Sequence, residues 1–161
     1  MQMGYEGKTG GGYNRFQNSQ GNVSQRDREI KEAESYFSND LHYQRTWITE
    51  KADKALVEFA EKAGQYMAKN KLTSSKIRSI YGEIKRIQMK TFEKDKASFS
   101  LLKPKVAYAL GREQKDVKGL QLFKSIFDEC FDDVTNEVQY QNFCNLIEAI
   151  LAYHKAYGGK D

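Results

Sequence analysis

The sequence is poor in the residues that most often carry chemistry or interrupt a helix: one proline, two cysteines and two histidines in 161 residues. Cys130 and Cys144 have neither a CxxC spacing nor a nearby histidine pair, which argues against a zinc site. His42 and His154 lie far apart, and His154 falls on the apolar stripe of the last predicted helix, where a packing role is expected rather than that of a general base. No apolar run approaches the roughly 20 residues a membrane span requires. The longest, LIEAILAY, is interrupted by Glu148. With both thiols in apolar helical surroundings and no signal peptide, a soluble, cytoplasmic protein with reduced, buried cysteines is expected. GKT at Gly7 to Thr9 looks like the end of a phosphate-binding loop, but Gln2 stands where that motif needs a glycine, and no buried strand precedes it. The acidic residues around Asp132 and Asp133 lack the glycine and closing glutamate of a calcium loop. No catalytic residue, metal or cofactor is therefore expected.

What the chain does have is charge, unevenly spread. The formal balance is only +4. From Lys76 to Lys124, however, there are 13 basic against 5 acidic residues, whereas Ser125 to Tyr140 carries Asp128, Glu129, Asp132, Asp133 and Glu137 and no basic residue. Such polarity either lets one copy's basic face meet another copy's acidic loop or keeps the protein soluble. Residues 1–42 differ in composition. Gly4, Gly7, Gly10, Gly11, Gly12 and Gly21 lie among Asn, Gln and Ser, with too little apolar surface to offset the entropy of ordering. This stretch reads as a tail, most of it disordered, ahead of a helical domain at 43–161. Within it, Ser24 to Phe37 has a serine cap and the makings of a short helix. Tyr5, Tyr13, Arg15 and Phe16 are either basic-aromatic contacts for RNA or part of a passive tail.

Beyond residue 43 the apolar period is helical throughout. Trp47, Ile48, Ala52, Ala55, Leu56, Phe59, Ala63 and Tyr66 predict a helix from about Gln44 to Ala68, broken by Asn70 and Lys71. Thr73 caps a second, with Ile77, Ile80, Tyr81, Ile84 and Ile87 inward. Basic residues flank this stripe: Arg78 and Lys85 on one side, Lys76, Arg86 and Lys90 on the other. A third helix covers Leu101 to Arg112, with Pro104 as its start and Gly111 as its stop. Val117 to Phe131 and Asn136 to Tyr157 give a fourth and a fifth. The expectation is an all-α, compact bundle of about five helices.

At about 100° per residue, the third helix turns Leu102, Val106 and Ala109 to one side and Lys105, Tyr108 and Arg112 to another. Two cations around a flat amphipathic ring suit a nucleic-acid backbone, although charged helix faces are often merely solvated. Three phrases sharpen this reading: TSSKIRSIYGEIKRI from Thr73 to Ile87, LLKPKVAYALGR from Leu101 to Arg112, and FCNLIEAILAYHKAYG from Phe143 to Gly158. In this order and spacing they resemble the small subunit of the type III-A CRISPR effector, the Csm ribonucleoprotein.

The resemblance implies a non-catalytic, all-helical protein present in several copies, stacked in a filament with other Csm subunits. It would touch target RNA and the guide–target duplex, with cleavage left to other subunits. On that footing the expected RNA contacts are Arg78, Lys85, Lys105 and Arg112, followed by Lys103, Arg86 and Lys155. Tyr108 either stacks on a base or ribose or covers the core edge. Such contacts would hold phosphates and riboses without reading bases, since guide pairing supplies sequence discrimination. Glu148 is placed to pair with a cation. Two rival classes stay open: a helix-turn-helix regulator built on the Asn70 to Thr73 turn, and a helical module whose basic face serves an acidic protein.

Overall fold

The computed structural model describes residues 23–161, which form seven helices and no strand. The glycine-rich stretch with Gly7 to Thr9, Tyr5, Tyr13, Arg15 and Phe16 lies outside the described residues. The helices are α1 (Gln25–Asn39), α2 (Thr46–Thr49), α3 (Lys54–Lys69), α4 (Ser74–Lys90), α5 (Lys96–Gly111), α6 (Lys118–Phe131) and α7 (Glu137–Ala156).

The count exceeds the expected five for two reasons. The short helix foreseen at Ser24 to Phe37 is α1, and the Ser24 hydroxyl accepts the Asp27 N–H (3.1 Å) as its N-cap. The helix expected over Gln44 to Ala68 is cut in two. Asp53 takes an extended backbone conformation, and its carboxylate accepts both the Leu56 N–H (3.0 Å) and the Trp47 indole N–H (2.8 Å). A side chain that caps the next helix cannot continue the previous one, so periodicity runs through the break while the hydrogen bonds do not.

A second correction concerns Pro104, which lies inside α5 and does not start it. The start is Asp95, whose carboxylate accepts the Ser98 N–H (3.4 Å). Pro104 costs one backbone hydrogen bond in the middle of that helix. Gly111 is the last helical residue, as foreseen.

Consecutive helices from α4 to α6 pack antiparallel. Arg86 reaches Asp95 and Ser98 at one end of the α4–α5 pair, and Lys76 lies near Glu113 at the other. The relation of α3 to α7 is parallel: Asn142 donates to the Ile48 and Glu50 carbonyls near one end, and His154 Nε2 to the Leu72 carbonyl (2.6 Å) at the other. They approach closely at Gly64, where a Cβ would sit 2.6 Å from both the Ile150 oxygen and the His154 nitrogen. The core between the helices is aromatic at one end, where Phe92, Phe99, Phe127, Tyr140 and Phe143 pack edge to face or offset. The Tyr140 hydroxyl is satisfied by the Ile84 carbonyl (2.6 Å).

The end of α7 folds back onto the start of α4. Gly158 adopts φ +86°, a left-handed conformation that favours glycine, and turns the chain so that Gly159 lies flat on the His154 ring. The Lys160 carbonyl then accepts the Ser74 N–H (2.9 Å), one of the orphan donors at the start of α4. Thr73, the predicted cap, is extended but makes no capping bond.

Candidate nucleic-acid interface

Helix α4 stands between two grooves, and the predicted contact residues divide between them. The α4/α5 groove, about 320 Å³, is lined by Lys76, Ser79 and Ile80 from α4 and by Lys105, Tyr108 and Arg112. The spacing of Lys105, Tyr108 and Arg112 brings all three into it. Tyr108 is 71% exposed, so its ring is available at the groove wall. Arg112 approaches Glu113 only at 3.8 Å. Lys105 has no ion-pair partner among the described residues; it lies close enough to Glu83 to help hold that carboxyl below its usual range, after the larger effect of the Arg86 hydrogen bond. Lys76 joins this groove from α4, near Glu113 (4.0 Å). The sequence put Lys76 on a basic flank of α4, a candidate for contact outside the chosen residues, and the packing turns this flank toward α5.

The α4/α7 groove is larger, about 710 Å³, and more apolar, with Ile77, Tyr81, Leu151 and Ala152 in its walls. Arg78, Lys85 and Lys155 line it. Arg78 has no ion-pair partner among the described residues. Lys85 pairs with Glu148, the cation Glu148 was placed to meet, and lies 5.7 Å from the Tyr81 ring centre. Lys155 pairs with Asp161 (2.9 Å) in an exposed contact that is worth little in water.

Two predicted contacts fall elsewhere. Arg86 is committed to structure: it binds Glu83 (2.5 Å), Asp95 (2.9 Å) and Ser98 (2.8 Å), clamping α4 to the start of α5. Lys103 faces α6, 5.1 Å from the centre of the Phe131 ring and 3.8 Å from Asp132. The acidic stretch is likewise engaged within the chain. Asp128 binds Lys124 (2.6 Å), Asp133 binds Arg45 (2.9 Å) and the Tyr43 hydroxyl (2.8 Å), and Glu137 accepts the Glu93 N–H (3.2 Å).

The remaining reactive groups are built into the core. Both cysteines are free and buried. Burial pushes the Cys144 thiol up to about 12 and the Cys130 thiol further still, so neither supplies a thiolate near neutral pH. His154 is buried with its Nε2 hydrogen used on Leu72. Among the described residues no cluster of His, Cys, Asp and Glu is arranged to hold a metal, and no helix is long and apolar enough to cross a membrane.

The comparisons with known proteins agree with the phrases read from the sequence. A relative from Streptococcus thermophilus, described as CRISPR system Cms protein Csm2, is 31% identical over 118 residues, covering 68% of this chain and 96% of the relative. No solved structure matches the chain. The Csm2 type III-A family model matches residues 50–160, the span from just before α3 to the end of the C-terminal turn, and the chain belongs to that family.

Proposed function

We propose that the chain is a non-catalytic small subunit of a type III-A CRISPR effector ribonucleoprotein, present in repeated copies in a filament with other Csm subunits. In this reading it holds target RNA and the guide–target duplex through backbone contacts, in antiviral defence. The observation that carries the reading is the α4/α5 groove. Lys105 has no ion-pair partner among the described residues, and it shares one surface with the exposed Tyr108 ring, Arg112 and Lys76. In a folded protein most cations near carboxylates pair with them, so a groove with spare positive charge and an open aromatic face suits a phosphate chain. Arg78 adds charge on the opposite flank of α4. Lys85 and Lys155 would first have to leave Glu148 and Asp161, and Lys103 and Arg86 serve better as structural residues than as contacts.

The helix-turn-helix alternative fits poorly. A recognition helix reads bases with its first turns, and here the start of α4 is tied to Lys160 beneath the C-terminal turn.

The test is binding of the purified chain to RNA, single-stranded DNA and duplex DNA of unrelated sequences across a salt series. Comparable, salt-sensitive affinities are expected. Lys105→Glu with Arg112→Glu should weaken RNA binding at least tenfold and flatten the salt dependence by more than one unit of slope. Strong preference for a single duplex sequence, or absence of guide-length RNA from the chain purified from its host under mild salt, would sink the reading.

A further inference from the structure

Tyr108 aside, the most exposed large apolar side chains among the described residues are Met89 (86%) and Val138 (66%). Both lie on the seam between α4 and α7. Steps of four, three and four residues put Met89 on the face of α4 that carries Lys85, Gly82 and Arg78. On α7, steps of three, seven and seven put Val138 in line with Gln141, Glu148 and Lys155. The two rows are tied at mid-seam, where Lys85 binds Glu148 and the Gln88 amide donates to Gln141 (3.0 Å). Because α4 and α7 run in opposite directions, the apolar α4/α7 groove occupies one end of the seam and the two exposed apolar side chains the other.

Each end also carries a charge that the described residues leave unanswered. Arg78 at the groove has no ion-pair partner. Neither has Glu137 beside Val138, whose carboxylate accepts the Glu93 N–H (3.2 Å) and the Gln141 amide (3.2 Å) but meets no cation. Gly82 in the groove wall is a further sign. A glycine within a helix costs stability, and here an added Cβ would meet nothing within 4 Å. Packing inside the chain does not call for that glycine, whereas a side chain entering from outside does.

Knob, groove and the two opposite charges thus share one face, at its two ends. A two-fold axis perpendicular to the seam, passing near Lys85 and Glu148, brings each end of one copy onto the complementary end of another. We infer that two free copies of this chain pair face to face along the α4/α7 seam, Met89 and Val138 of each seated in the other's groove and Arg78 of each beside the other's Glu137. The face is about 25 Å long and about 20 Å wide, or about 500 Å² per copy, at the lower limit for a specific contact. The pair is therefore weak and exchangeable. It goes beyond the RNA-binding reading and does not rest on it, since the α4/α5 groove lies on the other flank of α4 and stays open.

The experiment is sedimentation velocity of the full chain, freed of nucleic acid, from about 2 to about 200 µM. A monomer–dimer equilibrium with a midpoint in the tens of micromolar is expected for a face of this size. Met89→Ser with Val138→Ser should weaken it at least about tenfold with an unchanged thermal midpoint, because both positions are exposed. Arg78→Glu and Glu137→Arg should each weaken it by about as much, and the two combined should return to within about threefold of the parent. A parent that stays monomeric throughout overturns the inference, as does a dimer that survives the serine substitutions. Association that grows past two copies overturns the two-fold arrangement. A combined charge variant that keeps the parent's thermal midpoint yet fails to recover overturns the Arg78–Glu137 contact, and the serine variant carries the test alone should Glu137→Arg lower that midpoint.

Discussion

Two helix contacts, α3 against α7 and α1 against α6, hold by different means. At the first, Gly64 removes a side chain so that two backbones nearly touch, with Phe59, Ala60, Ala63 and Met67 buried on one side and Leu146, Ile147 and Ile150 on the other. At the second, α1 buries only Glu29 and Ala33 of its 15 residues, and Glu29 Oε2 has no hydrogen-bond partner. Half-buried Ile30, Tyr36 and Phe37 supply the apolar contact. At its edge Lys118 of α6 binds Glu32 (2.5 Å), and α1 is held further by neighbouring helices: Arg26 donates to the Glu113 and Leu110 carbonyls at the end of α5, and Tyr36 stacks on Tyr66 of α3 at 4.1 Å. Burial pushes the Tyr66 phenol up to about 12, with Glu32 next in effect, so the stack stays neutral. One contact is closed by shape and the other by hydrogen bonds at its edges. Only the first lies wholly within the family match. The body and its added helix are therefore expected to open separately.

The sharpest way to break this contrast is Gly64→Ala. A methyl group 2.6 Å from a carbonyl oxygen and a backbone nitrogen forces α3 and α7 apart, and we expect a loss of about 3 kcal/mol in urea unfolding. A loss below about 1 kcal/mol would mean that the two contacts do not differ in kind. Next is Arg26→Ala, which strips two carbonyls of a charged donor and should cost α1 about 1–2 kcal/mol. Hydrogen exchange should show the amides of 25–39 losing protection while those of 54–69 keep theirs. Glu29→Leu works in the other direction. Removing a buried carboxylate oxygen that has no partner should raise the protection of α1 by about 1 kcal/mol, and a decrease would reveal that Glu29 holds α1 in place. Smallest is Gly82→Ala, at an exposed position of α4 where an added Cβ meets nothing within 4 Å. It should raise the thermal stability of the body by about 0.5–1 kcal/mol and leave α1 exchange unchanged.

The parts of this structure that a sequence reader could find are those that depend on one helix at a time. The expected Val117 to Phe131 and Asn136 to Tyr157 differ from α6 and α7 by a residue at each displaced end, because strong stripes meet clear boundaries there and Asn136 caps α7 by accepting the Gln139 N–H (2.9 Å). The row Lys105, Tyr108 and Arg112 was legible because three- and four-residue steps share a face whatever the helix packs on. Asp53 was not, since its two roles, cap to α3 and acceptor for Trp47, exist only after the chain has turned. Pro104 misled because proline favours a helix start, and the stronger signal, Asp95 ahead of Ser98, lay nine residues earlier. Arg86 and Lys103 stand behind Lys105 among the expected contacts, and what occupies them depends on the positions of Asp95 and Phe131 in space. The role of Arg26 was likewise invisible, since its partners are 84 and 87 residues away.

The two sequestered thiols have a practical use. A protein whose only cysteines are buried and held protonated offers maleimide reagents no native target. A single Ser79→Cys substitution on the exposed flank of α4 would then accept one fluorophore beside Lys105, with Cys130 and Cys144 left as they are. The fold thus comes ready for site-specific labelling, and the α4/α5 groove can be given its own optical reporter.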